Sequence, residues 1–467
     1  MKNGIFSWWC LLVSISSYGQ IVTVRDSLTG KPLDLVVLVS ENPYAFTTTN
    51  ALGKADVSTF QDAQQIWIRR LGYQMRQISY ADLINAGLEL SLAPSGIKLR
   101  QIEISSSRWN LAGQRAPNKV ALIEPDEVFF YHPQTSADML GTTGEVFIQK
   151  SQQGGGSPMI RGFAANRLLY SVDGVRMNTA IFRSGNLQNV ISLDPLAMER
   201  TEVLFGPGSV IYGSDAIGGV MVFHTLRPQL SLTENTLVAG NALMRFASAN
   251  TELTGHFDVN VGWKRWAIRT SLSYNHFGDL RMGRYGPDDY LRTFYVQRHD
   301  SADVVISNDD PLVQKPTGYS QINLMQKLRF KPSDAWNMEY AFHYSTTTNY
   351  ARYDRLIRTR DGLPRSAQWY YGPQVWMMNH LKIAHHGRNA AYDEAVFHLA
   401  YQRFEESRHD RDFNDIQLRH RMEKVDAYSV NLDFIKSIRK RHHLFYGVEV
   451  VVDAVHSSGR DEDITSG

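Results

Sequence analysis

The chain is 467 residues long, 43% hydrophobic and 11% aromatic, with 49 Lys and Arg against 47 Asp and Glu. That length calls for more than one domain. The near balance of charge lacks the basic excess of a nucleic-acid binder, so no nucleic-acid partner is expected. Cys10 is the one cysteine, which excludes disulfides and a cysteine metal site and leaves the compartment open. No run of ~20 apolar residues follows the N-terminus, so no internal membrane helix is expected.

In chain order, residues 1–19 read as a secretory signal. Lys2 gives the charged start, Ile5 to Ile15 the apolar core, and Ser17-Tyr18-Gly19 the small residues before cleavage after Gly19. Ser7-Trp8-Trp9 ahead of Cys10 make a poor lipobox. Residues 20–94 alternate in short runs (Ile21–Val24, Leu35–Val39, Gln65–Ile68) separated by turn chemistry such as Asp26–Pro32, and predict a small β-sandwich. Asp26, Thr29–Leu33, Thr49–Lys54 and Leu71-Gly72-Tyr73 together resemble the carboxypeptidase-regulatory-like domain. That module carries no catalytic residue and none is seen here; a packing module or spacer is the expectation. Residues 95–118 follow as a linker, with Leu99–Arg108 reading as an extended segment and Asn110–Asn118 as a tether.

Residues 119–228 predict an α+β domain organised on glycine. Ser136–Leu140 reads as a short helical turn. Ile160-Arg161-Gly162-Phe163, the turn at Asp173-Gly174, Glu202 to Ser209 with Gly206-Pro207-Gly208, and Tyr212-Gly213 to Gly218-Gly219 come in one order over more than 80 residues. Singly these are ordinary. Asp173-Gly174 is a hairpin signal, and Gly206–Ser209 lacks the Gly-Lys-Ser/Thr of a phosphate loop. As an ensemble they resemble the plug domain of TonB-dependent outer-membrane receptors. The sandwich module is often placed ahead of such receptors in the Bacteroidetes.

The resemblance implies several roles. Gln101, Ile102, Glu103, Ile104, Ser105 and Ser106 would be the TonB box, an extended segment that pairs with the edge of a sheet in TonB, where main-chain bonds carry the affinity. Read without the resemblance, the same run is equally an edge strand or linker. Arg161 occupies the place of a buried arginine that pairs with barrel carboxylates, whereas Phe205 replaces a second arginine found in many relatives. Two long plug loops would face outward toward substrate, through Gln152, Gln153 and Ser157 in one and Asn178, Phe182, Arg183 and Asn186 in the other.

From 229 to 467 the dominant signal is period-2 alternation. Leu253, Phe257, Val259 and Val261 alternate with Thr254, His256, Asp258 and Asn260; Trp336, Met338, Tyr340 and Phe342 with Asn337, Glu339, Ala341 and His343. Nine strands are predicted at roughly 236–246, 253–263, 266–276, 320–330, 335–345, 375–386, 392–404, 426–435 and 443–452. Connections alternate short (Lys264-Arg265, Lys331–Asp334, Gly387–Ala391) and long (Phe277–Tyr319, Thr346–Gln374, Glu405–Lys424). That is the pattern of periplasmic turns and extracellular loops, and Trp263, Trp266, Phe330 and Trp336 beside the short turns fit an interfacial girdle. Arg439–His442 reads as a solvated turn. His385-His386 and His442-His443 point to opposite faces of a strand, so neither pair is expected to share a metal ion. The fold class is therefore mainly β: a β-sandwich, an α+β plug and the first part of a transmembrane antiparallel β-barrel. Nine is odd where bacterial single-chain barrels are even, so a truncated barrel, the N-terminal part of a longer receptor, is expected.

The function implied is a TonB-dependent receptor in the outer membrane of a Gram-negative, Bacteroidetes-like cell, with outer-membrane lipid around it. It would import a scarce nutrient, haem or an iron-siderophore chelate, with TonB and its inner-membrane complex as the energising partner. Glu202–Ser209 with Ser214–Gly219 resembles the iron-siderophore, haem and cobalamin branch; Phe182–Val190 resembles haem receptors. No catalytic residue, metal site or cofactor is expected. The long loops hold His299, Tyr285, Tyr290, Tyr295, Tyr350 and Tyr353, residue types that could serve haem as axial ligands. A binding or signalling receptor on the same scaffold, without transport, is the alternative.

Overall fold

A computed structural model describes residues 20–70, 73–93, 119–177, 180–181, 189–438 and 442–466. The expected signal, Gln101 to Ser106, the tether, and Asn178, Phe182, Arg183 and Asn186 lie outside the described residues. The chain forms two compact units, Met1–Glu103 and Ile104–Gly467.

The first unit has two small sheets. In one, Ile21–Asp26 pairs antiparallel with Lys54–Asp56 and parallel with Glu89–Leu92. The other is antiparallel, in the order Tyr44–Thr48, Val37–Glu41, Ile66–Arg69, Arg76–Ile78. Alternation turns Val22, Val24, Leu90 and Leu92 of the first toward Leu38, Ile66 and Ile68 of the second, and Leu83 of the helix Tyr80–Asn85 joins the same core. Asp26 ties the module's recurring residues together. Its carboxylate accepts the backbone N–H of Leu28 and Thr29, both at 2.8 Å, and the Tyr73 hydroxyl at 2.7 Å. The Thr29 N–H foremost, then Tyr73, pull the Asp26 pKa down to about 2.

The second unit begins with a mixed five-stranded sheet in the order Val175–Arg176, Leu168–Val172, Gly219–Thr225, Met198–Phe205, Val120–Ile123. Its middle strands are covered on both faces, which is why Gly219–Phe223 reads as an unbroken apolar run and Leu168–Val172 as one broken only by the small Ser171. The helix Ser136–Gly141 starts at a capping box in which Thr135 and Asp138 satisfy each other's backbone N–H, and it buries Met139 and Leu140.

Around this domain runs an antiparallel meander of nine long strands: Leu237–Ala247, Glu252–Gly262, Trp266–Phe277, Tyr319–Phe330, Trp336–Thr347, Val375–His386, Glu394–Asp412, Gln417–Ile438 and His442–Asp463. They lie where the alternation placed them, except that the last three run well beyond the expected bounds, the ninth to Asp463 rather than about 452; from the second to the eighth, the burial along them is the reverse of a soluble sheet. The covered face carries Asp258, Asn260, Arg269, Ser271, Lys327, Glu339 and His380, while Phe257, Leu272, Tyr274, Tyr340, Leu399 and Val450 are open. At the short-turn end the Trp266 ring stacks on Phe330, centroids 4.0 Å apart, with Trp263 and Trp336 alongside in the open. The first and ninth strands each pair on one side only among the described residues.

The stretch Glu405–Lys424 differs from expectation. It is no loop: pairing continues from Glu405↔Lys424 to Asp410↔Arg419, so the seventh and eighth strands rise as one long hairpin. Both faces of Glu405–Asp412 are polar, so the hydrophobic alternation stops although the backbone ladder does not. The other long connections are also built, holding the hairpin Phe294–His299/Ala302–Ser307 and the strand Ser366–Tyr371, which pairs with the rising seventh strand.

Candidate functional site: the interface between the central domain and the wall

The central sheet ends on the polar face of the wall at the Asp173-Gly174 turn. Asp173 Oδ2 accepts from Lys327 Nζ of the fourth wall strand at 2.8 Å and from Thr225 Oγ1 at 2.6 Å, while Oδ1 accepts the Thr225 N–H at 2.9 Å. Lys327 is fully buried, also donates to Thr225 O at 3.4 Å, and lies 3.7 Å from Glu339 Oε1; His343 Nε2 stands 3.7 Å from Asp173. Burial works to raise the Asp173 pKa, but the Lys327 ammonium, His343 and the hydrogen bonds from Lys327 and Thr225 together outweigh it and hold the carboxyl well below the ordinary range. Gly174, at φ +92°, lies against the imidazole of His398; a Cβ there would stand 2.9 Å from Cε1. His398 in turn shares a 2.9 Å hydrogen bond with His380.

Further bonds spread the attachment around the wall. Ser273 Oγ donates to Asp194 Oδ2 at 2.6 Å, Gln321 Nε2 to the Ile191 carbonyl at 2.7 Å, and Gln402 Nε2 to the Arg176 carbonyl at 2.8 Å. Next to Asp194, the His256 ring bonds Ser273 and Asp258, and Asp258 pairs with Arg269. Apolar contact completes the joint: Tyr170, Met221 and Phe223 share one core with Phe277, Tyr319, Tyr350, Trp376 and Phe404 of the wall and its outer loops. A buried charge is costly unless paired and hydrogen-bonded, so this dense polar joint fixes one seating of the domain.

The other motif residues fall as follows. Gly206-Pro207-Gly208 turns the strand Met198–Phe205 into the short helix Ser209–Tyr212, with Tyr212 buried; Gly213 faces Arg176, and Gly218-Gly219 open the next strand. Glu202 is buried beside Arg200 Nε at 2.9 Å and His224 Nε2 at 3.3 Å. Arg161 departs from the expected ion pair. With Gly162 it sits exposed on a tight turn, its guanidinium 5.8 Å from the Phe205 ring centroid. Phe205, standing where an arginine was expected, offers a ring face rather than a charge.

Gln152, Gln153 and Ser157, expected on a loop facing outward toward substrate, are buried. Gln153 Nε2 donates to the carbonyls of Gly278 at 3.0 Å and Thr317 at 3.3 Å, and its Oε1 accepts from Asn250 at 3.2 Å, so this loop is fastened to the outer ends of the wall. Strand ends leave unpaired carbonyls, and a glutamine amide satisfies them. A Cβ at Gly154 would meet the Tyr350 ring at 2.9 Å. Of the aromatic loop residues, Tyr350 and Tyr353 are buried and hydrogen-bonded to Gln374 and the Tyr290 carbonyl, whereas Tyr285 and His299 are exposed. His385 packs on Trp336 and bonds Tyr392, while His386 is exposed on the other face.

The sequence reading missed Lys327 and His343 as partners of Asp173. Their polar identity at covered positions was a signal, but not which residue they would meet.

Comparison with known proteins fits this geometry. Residues 113–220 match the family model described as TonB-dependent Receptor Plug Domain. The vitamin B12 transporter BtuB of Vibrio vulnificus (strain CMCP6) is 29% identical over 221 residues, 42% of this chain and 36% of that protein. The hemin receptor of Yersinia pestis is 34% identical over 112 residues, 24% of this chain and 16% of that one. The chain thus spans about a third or less of the length of these curated relatives. Among solved structures, the copper transporter OprC superposes over 74% of this chain and 48% of its own, with a TM-score of 0.55 at 14% identity. The hemophore receptor HasR of Serratia marcescens, solved with its hemophore and heme, does so over 73% and 46%, with a TM-score of 0.53 at 15% identity. These two likenesses establish the fold: a central domain against barrel strands.

Proposed function

We propose that this chain is a TonB-dependent receptor serving energised import across the outer membrane, with haem or an iron–siderophore chelate as cargo. The single observation that carries the reading is the inverted wall, polar where it meets the plug and apolar where it is open. Only a lipid surround makes that arrangement favourable for seven consecutive strands, from Glu252–Gly262 to Gln417–Ile438. The plug then blocks the lumen, and transport requires that its seating be broken.

No covalent chemistry is involved. Gln101 to Ser106 act as the TonB box, pairing with the edge of a TonB sheet. Force applied there displaces the plug, and the Asp173–Lys327 contact is one of the buried attachments that must yield. Ligand binding and box exposure are two sites biasing one two-state element. Similarity to a hemin receptor, 34% identical over 112 residues, supports haem as cargo, and the outer loop 346–374, with five arginines against two aspartates, favours an anionic chelate over a neutral one.

The test is uptake of labelled haemin or a labelled ferric siderophore into cells expressing the protein. Deleting residues 101–106 is expected to abolish uptake while leaving surface binding intact. Binding without uptake by the intact protein would instead favour the signalling receptor.

A further inference from the structure

Above the plug, the rising hairpin and the loop before the sixth wall strand enclose a cavity of about 560 Å3, part of it open to solvent, with Arg355, Arg358, Arg365 and Arg419 on its walls and Trp369 at one side. Its position follows from the alternation. Gln402 and Phe404 of the seventh strand face the plug, and steps of two along the same strand put Arg408, Asp410 and Asp412 on that face. Trp369 is paired in register with Asp410 and packs at the margin of the plug–wall core. The opposite face of the hairpin is closed by the Phe294–Ser307 hairpin, where Asp303 holds Arg411 by two hydrogen bonds of 2.7 and 2.9 Å. The cavity therefore opens on the ligand side of the wall, away from lipid.

Its charge is not internally balanced. Asp410 is engaged by Arg419 at 2.6 Å and Arg421 at 3.0 Å, and Asp412 by Arg419 at 3.3 Å. Asp354 is shared among Arg352 at 2.7 Å, Arg358 at 3.5 Å and Arg355 at 3.8 Å. The Arg365 side chain has no partner among the described residues, and the buried Arg355 Nε makes no hydrogen bond. Burial first, and then the guanidiniums of Arg352 and Arg358, lower the Arg355 pKa, the mark of cations crowded together. An anion with several oxygens relieves that crowding, because a planar guanidinium binds carboxylate or phosphate oxygens in pairs.

We propose that this cavity is an anion-recognition subsite for the receptor's ligand, in which Arg358 and Arg365 clamp a group bearing two or more anionic oxygens against Arg355, with Trp369 covering its apolar side. Such a group is carried by a tetrapyrrole with carboxylate arms or by a catecholate or carboxylate metal chelate. The inference rests on the importer reading and narrows its cargo to anionic ligands.

The test uses the full chain in detergent micelles. Calorimetric titration with inorganic pyrophosphate, as a bare polyanion, is expected to detect binding that falls at least 10-fold in the double variant R358Q/R365Q and is unchanged in R360Q, an exposed arginine of the same loop. Haemin is expected to lose affinity in the same double variant, and haemin dimethyl ester, whose arms are uncharged, to be indifferent to it. Equal pyrophosphate binding by wild type and double variant, or no binding by wild type, overturns the proposal. Equal sensitivity of haemin and its ester overturns recognition through the ligand's own carboxylates. Loss of uptake without loss of these affinities bears on the importer reading alone, so the two failures are told apart.

Discussion

The sandwich of residues 20–93 and the nine-stranded wall are written in the same period-2 alphabet and fold with opposite polarity. In the sandwich, Val22, Val24, Ile66 and Ile68 are 0% exposed and the polar alternates face out. In the wall, Asn260 and Lys327 are 0% exposed while Phe257 and Val450 are 51% and 54% exposed. Alternation specifies a strand with two unlike faces; the surroundings decide which face is covered. Where water surrounds a sheet, the apolar face closes on itself. Where lipid surrounds it, the polar face turns inward onto a plug that can satisfy it.

The largest effect expected from breaking this contrast is at the polar joint. Lys327→Met leaves the Asp173 carboxylate buried without its cation, and removing one partner of a buried pair costs ~3–5 kcal/mol. Hydrogen exchange in Leu168–Arg176 is expected to accelerate strongly, and the double variant K327M/D173N to recover most of the protection. Unchanged exchange in the single variant would show that the joint is not held there.

Next comes a pair of leucines, both open to the surroundings. Leu272→Lys places a charge on the wall's apolar face, where the cost near mid-membrane is ~2–4 kcal/mol. Leu28→Lys, at an exposed turn of the sandwich, is expected to stay within ~0.5 kcal/mol. Denaturant titration of both variants in lipid bilayers checks the difference, and equal effects would remove the contrast.

A smaller loss follows from Gly174→Ala. The added Cβ sits at positive φ, a strain of ~1–2 kcal/mol, and 2.9 Å from His398. A lower melting temperature with a shifted His398 ring signal is expected; an unshifted ring would place the turn elsewhere.

The smallest effect concerns the sandwich alone. The Asp26 pKa lies near about 2 when folded, because the Thr29 N–H and Tyr73 hydroxyl favour the carboxylate, against about 3.9 when unfolded. Its contribution is therefore complete above pH ~4 and is lost as pH falls toward ~2. Following Tyr73 by NMR during acid titration, wild type is expected to lose stability over that window more steeply than Asp26→Asn.

These regions also differ in how far the sequence discloses them. The long strands were legible because lipid on one side and plug on the other keep the alternation strict, as in Leu253 to Val261. Glu405–Asp412 was illegible as strand because above the membrane neither face is apolar, leaving only backbone pairing. Asp173-Gly174 was visible as a turn, but its cation lies 154 residues away at Lys327, and nothing local encodes that meeting. Arg161 was expected against barrel carboxylates, partners that no local pattern identifies; among the described residues it lies exposed beside the Phe205 ring instead. The arginines between 352 and 365 sit in a stretch that reads as loop; only the fold brings Arg419 to them.

The most direct measurement of the inverted wall uses spin labels, one per variant, at Leu272→Cys and Val450→Cys in a Cys10-free background and in lipid bilayers. Power saturation is expected to give high accessibility to oxygen and low accessibility to a water-soluble nickel chelate at both positions. High nickel accessibility at either, comparable to a label on the sandwich surface at Leu28→Cys, would contradict a wall whose open face meets lipid.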